Sequence, residues 1–310
     1  MSRLSAISID VDSLRFYRQI HGLGPDTPDQ VEGDPIYTVA MRRFWDLLEQ
    51  SGVPATLFLI GADAAVHPSA FSRREESGSE IASHSHTHDY RLSRRSVSTI
   101  REDLRQADEV LRKLNDGRAL AGFRAPGYNV SKALLEAVLE LGYSYDSSLL
   151  PSPWYFGARS VAISAYQVLR RPSASITGGP RQFLGPLAPY RTSAERPWRP
   201  SAGPLVELPM ACEPLTRIPL IGTSWILFPK RLRQALLKSA LARLDAFVFE
   251  LHAIDLLDRT DSPELSELAK SQADLRIPAA TKIAAFAELF HRLSDETEVC
   301  TLAEISARTS

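Results

Sequence analysis

Leu4-Ser5-Ala6-Ile7-Ser8-Ile9-Asp10-Val11-Asp12 lies near the start of the 310-residue chain, an apolar-rich run closed by two carboxylates. It predicts a β-strand over 4–9, and a period of two places Asp10 and Asp12 on one face at its C-terminal end. That end of a strand is where βα-barrels build their active sites. Taken singly, the two aspartates also read as a loop residue and a helix cap.

Outward from this strand, helical and extended patterns alternate, as in βα units around a mainly parallel sheet or barrel. A helix is expected over 38–50, where Val39, Phe44, Leu47 and Leu48 recur at helical spacing before Gly52. Residues 55–60 form a continuous apolar run closed by Gly61 and predict a strand buried on both faces. Further strands are expected at 80–83, 120–123 and 246–251. Amphipathic helices are expected at 96–114, at 131–141 with Ser131 as N-cap, at 231–244 and at 278–293, before a last strand and helix over 298–307. Of 21 prolines, 13 fall between Pro151 and Pro229. Regular helix is therefore not expected over most of that stretch, which reads as an irregular insertion or set of lid loops with a short strand at 206–208.

Composition narrows the function. At 44% hydrophobic and 24% charged, the chain can bury a sizeable core. The 36 basic and 37 acidic residues leave a net charge of −1, with no basic stripe, which argues against nucleic acid as a partner. Cys212 and Cys300 are the two cysteines, with no CxxC spacing, so any metal must be held by histidine and carboxylate. The N-terminal residues lack the basic region, long apolar run and cleavage site of a secretory leader, so a cytoplasmic location is expected. The uncharged run 218–229 is too short for a membrane span.

Four more features follow predicted strands. His84-Ser85-His86-Thr87-His88 holds three of the seven histidines, and imidazole is the commonest neutral metal ligand. A helical turn would put His84 and His88 on one face; an extended segment would align all three. Arg124-Ala125-Pro126-Gly127-Tyr128 combines a cation with a turn whose amide is able to face a cavity. Asp146 follows Tyr143-Ser144-Tyr145 and also reads as a cap. Phe247-Val248-Phe249-Glu250-Leu251-His252 delivers a histidine at a strand end.

In this order the five features resemble the polysaccharide deacetylase (NodB-homology) family, from Ser8 to about Ile305. The family's first motif, Thr-Phe-Asp-Asp-Gly, has its counterpart in Ser8-Ile9-Asp10-Val11-Asp12-Ser13, similar to an Asp-Val-Asp variant. His84-Ser85-His86-Thr87-His88 matches His-Ser/Thr-x-x-His and leaves His86 outside the ligand set. Arg124-Ala125-Pro126 matches Arg-x-Pro, with Gly127 where an aromatic is often found. Asp146 falls in the segment that resembles the fourth motif and Leu251-His252 matches the fifth; the family's active-site tryptophan has no motif match here, with Trp154 as its candidate.

The resemblance implies a single domain over 1–310: a distorted (β/α) barrel of about seven units with an irregular insertion at about 151–229. It implies a divalent ion, zinc first and cobalt, nickel or manganese as alternatives, on Asp12, His84 and His88. Asp10 is then the general base, Arg124 its charge partner, Gly127 N–H an oxyanion donor, His252 the acid and Asp146 the carboxylate favouring its imidazolium form. The implied activity is hydrolytic removal of an acetyl group from an N-acylated sugar or polysaccharide precursor. One alternative is deformylation or deacetylation of a lipid-linked amino sugar at the cytoplasmic membrane face, and another is a non-catalytic sugar-binding barrel. For the lipid-linked case, the apolar run 218–228 and the five basic residues from Lys230 to Arg243 suggest a peripheral membrane contact through 218–244. The same helix pattern also fits an outer barrel helix.

Overall fold

The structure, a computed structural model, describes residues 3–24, 33–168 and 180–309. Its centre is a sheet of nine strands: β1 (Leu4–Val11), β2 (Thr56–Leu59), β3 (Glu80–Ser83), β4 (Gly122–Phe123), β5 (Tyr145–Asp146), β6 (Tyr190–Thr192), β7 (Leu205–Glu207), β8 (Ala246–His252) and β9 (Glu298–Val299). The order is β6-β7-β5-β4-β3-β2-β1-β8, with β9 also on β1, and all pairings but β6 with β7 are parallel. Just beyond β7, the Ala211 amide donates to the Val248 carbonyl of β8 at 2.8 Å and narrows the gap between the sheet's two ends. The result is a distorted barrel.

Strand alternation divides the interior into layers. On β1 the residues Ile7, Ile9 and Val11 face the main core between sheet and helices, while Ala6 joins the apolar cluster of the barrel floor. Register sets Ala6 opposite Val248, Ser8 opposite Glu250 and Asp10 opposite His252. Ascending the barrel, apolar pairs therefore give way to polar and then ionisable ones. The helix Leu302–Arg308 closes the lower end: Leu302 and Ile305 pack with Ala6, Phe58 and Val248.

The helices follow the periodic apolar stripes. Met41–Ser51 is preceded by a wide turn over Ile36–Ala40 and ends at Gly52 in the left-handed region (φ 63°). Val97–Leu114 and Lys132–Glu140 are capped by the Ser96 and Ser131 hydroxyls, which accept from the Thr99 and Leu134 amides. The proline-rich stretch departs from expectation. Pro153–Val168 is a 16-residue helix, and β6 and β7 also come from this stretch. Its prolines cluster outside the helix, since none occurs between Trp154 and Val168. Residues 169–179 of the expected insertion lie outside the described residues.

Around the basic helix Lys230–Arg243, the buried face is Leu236, Leu237, Ala240 and Leu241, whereas Leu232 is exposed. Leu220, Ile221, Trp225 and Ile226 of the preceding run are also buried, and Trp225 Nε1 donates to the Ala285 carbonyl at 3.0 Å. Among the described residues no helix is long and apolar enough to cross a membrane.

Candidate functional site

The chemical side chains gather at the C-terminal ends of the strands. Asp10 comes from β1 and Asp12 from just after it; His84 and Arg124 follow β3 and β4, and His252 ends β8. Asp10, Asp12, His84 and His252 share a cavity of about 300 Å3 with Tyr17, Tyr90, Gly127, Tyr128, Tyr155 and Arg159.

Asp12, His84 and His88 form a buried cluster. Both imidazole Nε2 atoms face Asp12 Oδ1, from His84 at 3.5 Å and from His88 at 3.4 Å, and they lie 3.2 Å from each other. His84 Nδ1–H donates to the Arg124 carbonyl at 2.7 Å, which leaves Nε2 with its lone pair toward the cluster. Phe16 and Tyr90 pack against the His88 ring. The backbone turns sharply here: Ser85 and His88 have φ of 67° and 52°, and the Ser85 hydroxyl accepts from the His88 amide at 3.0 Å. Such conformations cost about 1 kcal/mol or more each and hold when the surroundings fix them. His86 turns away, and its amide donates to Asp103.

This cluster fits a divalent cation. Asp12 Oδ1 is buried and accepts no hydrogen bond among the described residues. Burial lowers the His84 pKa to about 4 and drives His88 well below the ordinary value, so both rings are neutral donors near pH 7. Burial pushes Asp12 up to about 8 against the pull of His252, a shift that a bound cation would reverse. Two imidazoles and a carboxylate are a donor set suited to zinc-like ions.

Asp10 has a different environment. Burial would raise its pKa, but the Arg124 guanidinium, with His84 and His252, holds it below the ordinary carboxylate value. Arg124 is fully buried and donates to Asp10 Oδ1 (2.5 Å), the Ser147 carbonyl (2.8 Å), and the Ser8 and Ser147 hydroxyls (3.0 Å each), with Phe58 beneath it. Among the described residues Asp10 Oδ2 accepts no hydrogen bond, and it stands 3.9 Å from His84 Nε2 and 4.0 Å from His252 Nε2. One oxygen is thus anchored and the other faces the cluster.

The carboxylate on His252 is Glu250, which corrects the expectation for Asp146. Glu250 Oε1 lies 2.8 Å from His252 Nδ1, on the same face of β8 two residues earlier. Burial would lower the His252 pKa, but Glu250, Asp10 and Asp12 outweigh it and hold the ring well above its ordinary value. Asp146 instead accepts from Ser148 at 2.6 Å and sits in register with Glu207 of β7. Burial raises both carboxyls, Asp146 to about 6 and Glu207 well above the ordinary value. The two-residue β5 delivers Asp146 toward β7 and away from β8.

Trp154 is also away from the cavity: it is 64% exposed and its Nε1 donates to the Thr216 carbonyl. Tyr17, Tyr90, Tyr128 and Tyr155 supply the aromatic walls. Apart from Tyr128 in the Arg124–Tyr128 turn, no sequence motif marks these tyrosines, whereas Glu250 is readable from its period-two relation to His252. Gly127 lines the cavity with φ of 59°, beside Tyr128 at 63°.

Comparison with known proteins agrees with this arrangement. The family profile described as Polysaccharide deacetylase matches residues 32–145. A curated relative, the peptidoglycan deacetylase of Helicobacter pylori, is 27% identical over 157 residues, which are 49% of this chain and 52% of that protein. The chain thus spans about half the length of that curated relative. A Mycobacterium smegmatis crystal structure provisionally named a polysaccharide deacetylase superposes with TM-score 0.62 at 20% identity, covering 100% of this chain and 91% of that one. The PuuE allantoinase structure follows at 0.60 and 14% identity, covering 99% and 90%. These two likenesses show a shared fold, the distorted (β/α) barrel. The profile match over residues 32–145 and the curated relative make the chain similar to polysaccharide deacetylases over that part of its length.

Proposed function

We propose that the chain is a metal-dependent amidohydrolase that removes an acetyl group from the nitrogen of an N-acylated sugar or polysaccharide precursor. The observation that carries this reading is the pairing of two differently tuned sites in one cavity. A cation-ready cluster of Asp12, His84 and His88 lies beside an ionised Asp10 and a protonated His252. Opposed acid and base within one cavity are what amide hydrolysis requires.

Asp12, His84 and His88 would hold the ion, which when bound supplies Lewis-acid polarisation of the carbonyl and a more acidic water. Asp10 takes the proton of the attacking water through its unanchored Oδ2. Arg124 fixes the other oxygen and keeps the carboxylate charged. The Gly127 amide is assigned to the developing oxyanion. His252 gives its Nε2 proton to the departing amine, and Glu250 holds the ring in orientation from the Nδ1 side. The products are a free amine and a carboxylic acid.

The test is release of acid from N-acetylated and N-formylated amino sugars by protein purified without chelator. Acetate release supports the reading, formate release alone supports the deformylase, and neither acid with either substrate class favours a binding barrel.

A further inference from the structure

Helix Pro153–Val168 turns one face to the reaction cavity, through Tyr155, Ala158, Arg159 and Ile163. Arg159 is the cation of that face. Its Nη1 donates to the Gly127 carbonyl at 3.1 Å and lies 3.4 Å from the Tyr155 hydroxyl, with the guanidinium beside the Tyr155 ring. Among the described residues none of these partners is a carboxylate. The cavity's two carboxylates face other partners, Asp10 the Arg124 guanidinium and Asp12 the two imidazoles, and Glu250 behind them faces His252.

Gly127 makes this placement fit. A Cβ there would come within 3.0 Å of Arg159 Nη2 and 2.9 Å of Tyr90 Cδ1. An aromatic, often found at this point of the motif, would occupy the space that the guanidinium now fills. The surrounding sequence has the same sign of charge. From Ser147 to Val206 it carries seven arginines and one acidic residue, Glu195, which is paired with Lys132. A segment with this charge balance favours an anionic ligand over a cationic one.

We propose that Arg159 is the anion-recognition residue of this site, and that the N-acylated substrate carries an oxyanion, a carboxylate or a phosphate, next to the acylated nitrogen. The bonds to Gly127 and Tyr155 both leave from Nη1, so Nη2 and Nε are placed to grip two oxygens of one group. The cavity, about 300 Å3, is of a size for a single sugar unit. This inference rests on the hydrolase reading of the same cavity.

The test uses the full chain loaded with zinc and three probes: neutral N-acetylglucosamine, N-acetylmuramic acid with a carboxylate, and N-acetylglucosamine 1-phosphate. Acetate release (kcat and KM) and calorimetric binding are measured for wild type, Arg159→Met and Arg159→Lys. A preference on the order of tenfold or more for one charged probe is expected in wild type, carried by KM and binding. It falls toward parity in Arg159→Met and is kept only in part in Arg159→Lys, which retains the charge but not the two-point grip. Which charged probe is preferred separates carboxylate from phosphate. Equal binding of charged and neutral probes, binding of none, or a proportional loss for all three in Arg159→Met overturns the proposal. Binding that depends on charge and on Arg159, without acetate release, keeps the anion subsite and removes the deacetylase reading; acetate release without charge preference does the reverse.

Discussion

Replacing Glu250 by glutamine preserves the side chain's shape and removes its charge, so it isolates what that carboxylate does for His252. The 2.8 Å separation of His252 Nδ1 and Glu250 Oε1 puts the two charge centres about 4 Å apart. At an effective dielectric of about 20, that attraction is about 4 kcal/mol. Asp10 and Asp12 remain near His252 Nε2, at 4.0 and 3.9 Å, so part of the elevation survives. The sign follows from the role. In the proposed role His252 must be protonated to act as the acid, and its pKa is held above the ordinary value, so activity is expected to persist until pH rises through that raised pKa. Without the Glu250 charge the alkaline limb of kcat/KM moves down by at least about one unit. Asp146→Asn leaves that limb in place, because Asp146 faces Ser148 and Glu207. Acetate release across about pH 5 to about 10 measures both variants. An alkaline limb unmoved in Glu250→Gln, or moved by Asp146→Asn, would refute the reasoning.

Two further substitutions separate the roles around Asp10. Asp10→Asn keeps Asp12, His84 and His88 intact and removes the proposed base, so metal content is expected to stay at the wild-type level while kcat falls by about 10^2 to 10^4; normal turnover would exclude Asp10 as the base. Arg124→Met leaves Asp10 buried beside an apolar neighbour and costs about 3–5 kcal/mol in urea unfolding at neutral pH. Because the Asp10 pKa is depressed in the fold, the stability that it draws from Arg124 is present above the ordinary carboxylate pKa. It is lost as pH falls through the lowered value, so the gap between wild type and variant narrows in acid. A pH-independent gap would sink that account.

What was legible in the sequence was what local spacing encodes. Asp10, His84, Arg124 and His252 all sit at strand ends, and a parallel barrel brings strand ends together whatever lies between them. The amphipathic helix Val97–Leu114 and its Ser96 cap were readable for the same local reason. What was not legible depends on packing between distant segments. The helix Pro153–Val168 was obscured because its flanking prolines dominated the average of a long stretch, although its own interior has none. Asp146 was placed on His252 by motif order, but the short β5 gives it the register of Glu207. The Glu250 position was within reach, since Glu250 and His252 share a strand face. Tyr17, Tyr155 and Arg159 become visible only when that helix and Leu14–Ile20 are set beside the cavity.

Divalent-metal content of the chain purified without chelator, measured by elemental analysis together with acyl release, bears most directly on the central claim. Wild type is expected to hold one ion per chain and to release acid. The Asp12→Ala, His84→Ala, His88→Ala triple variant is expected to lose both together. Full metal content in that variant, or acid release by wild type with no ion bound, would contradict the claim.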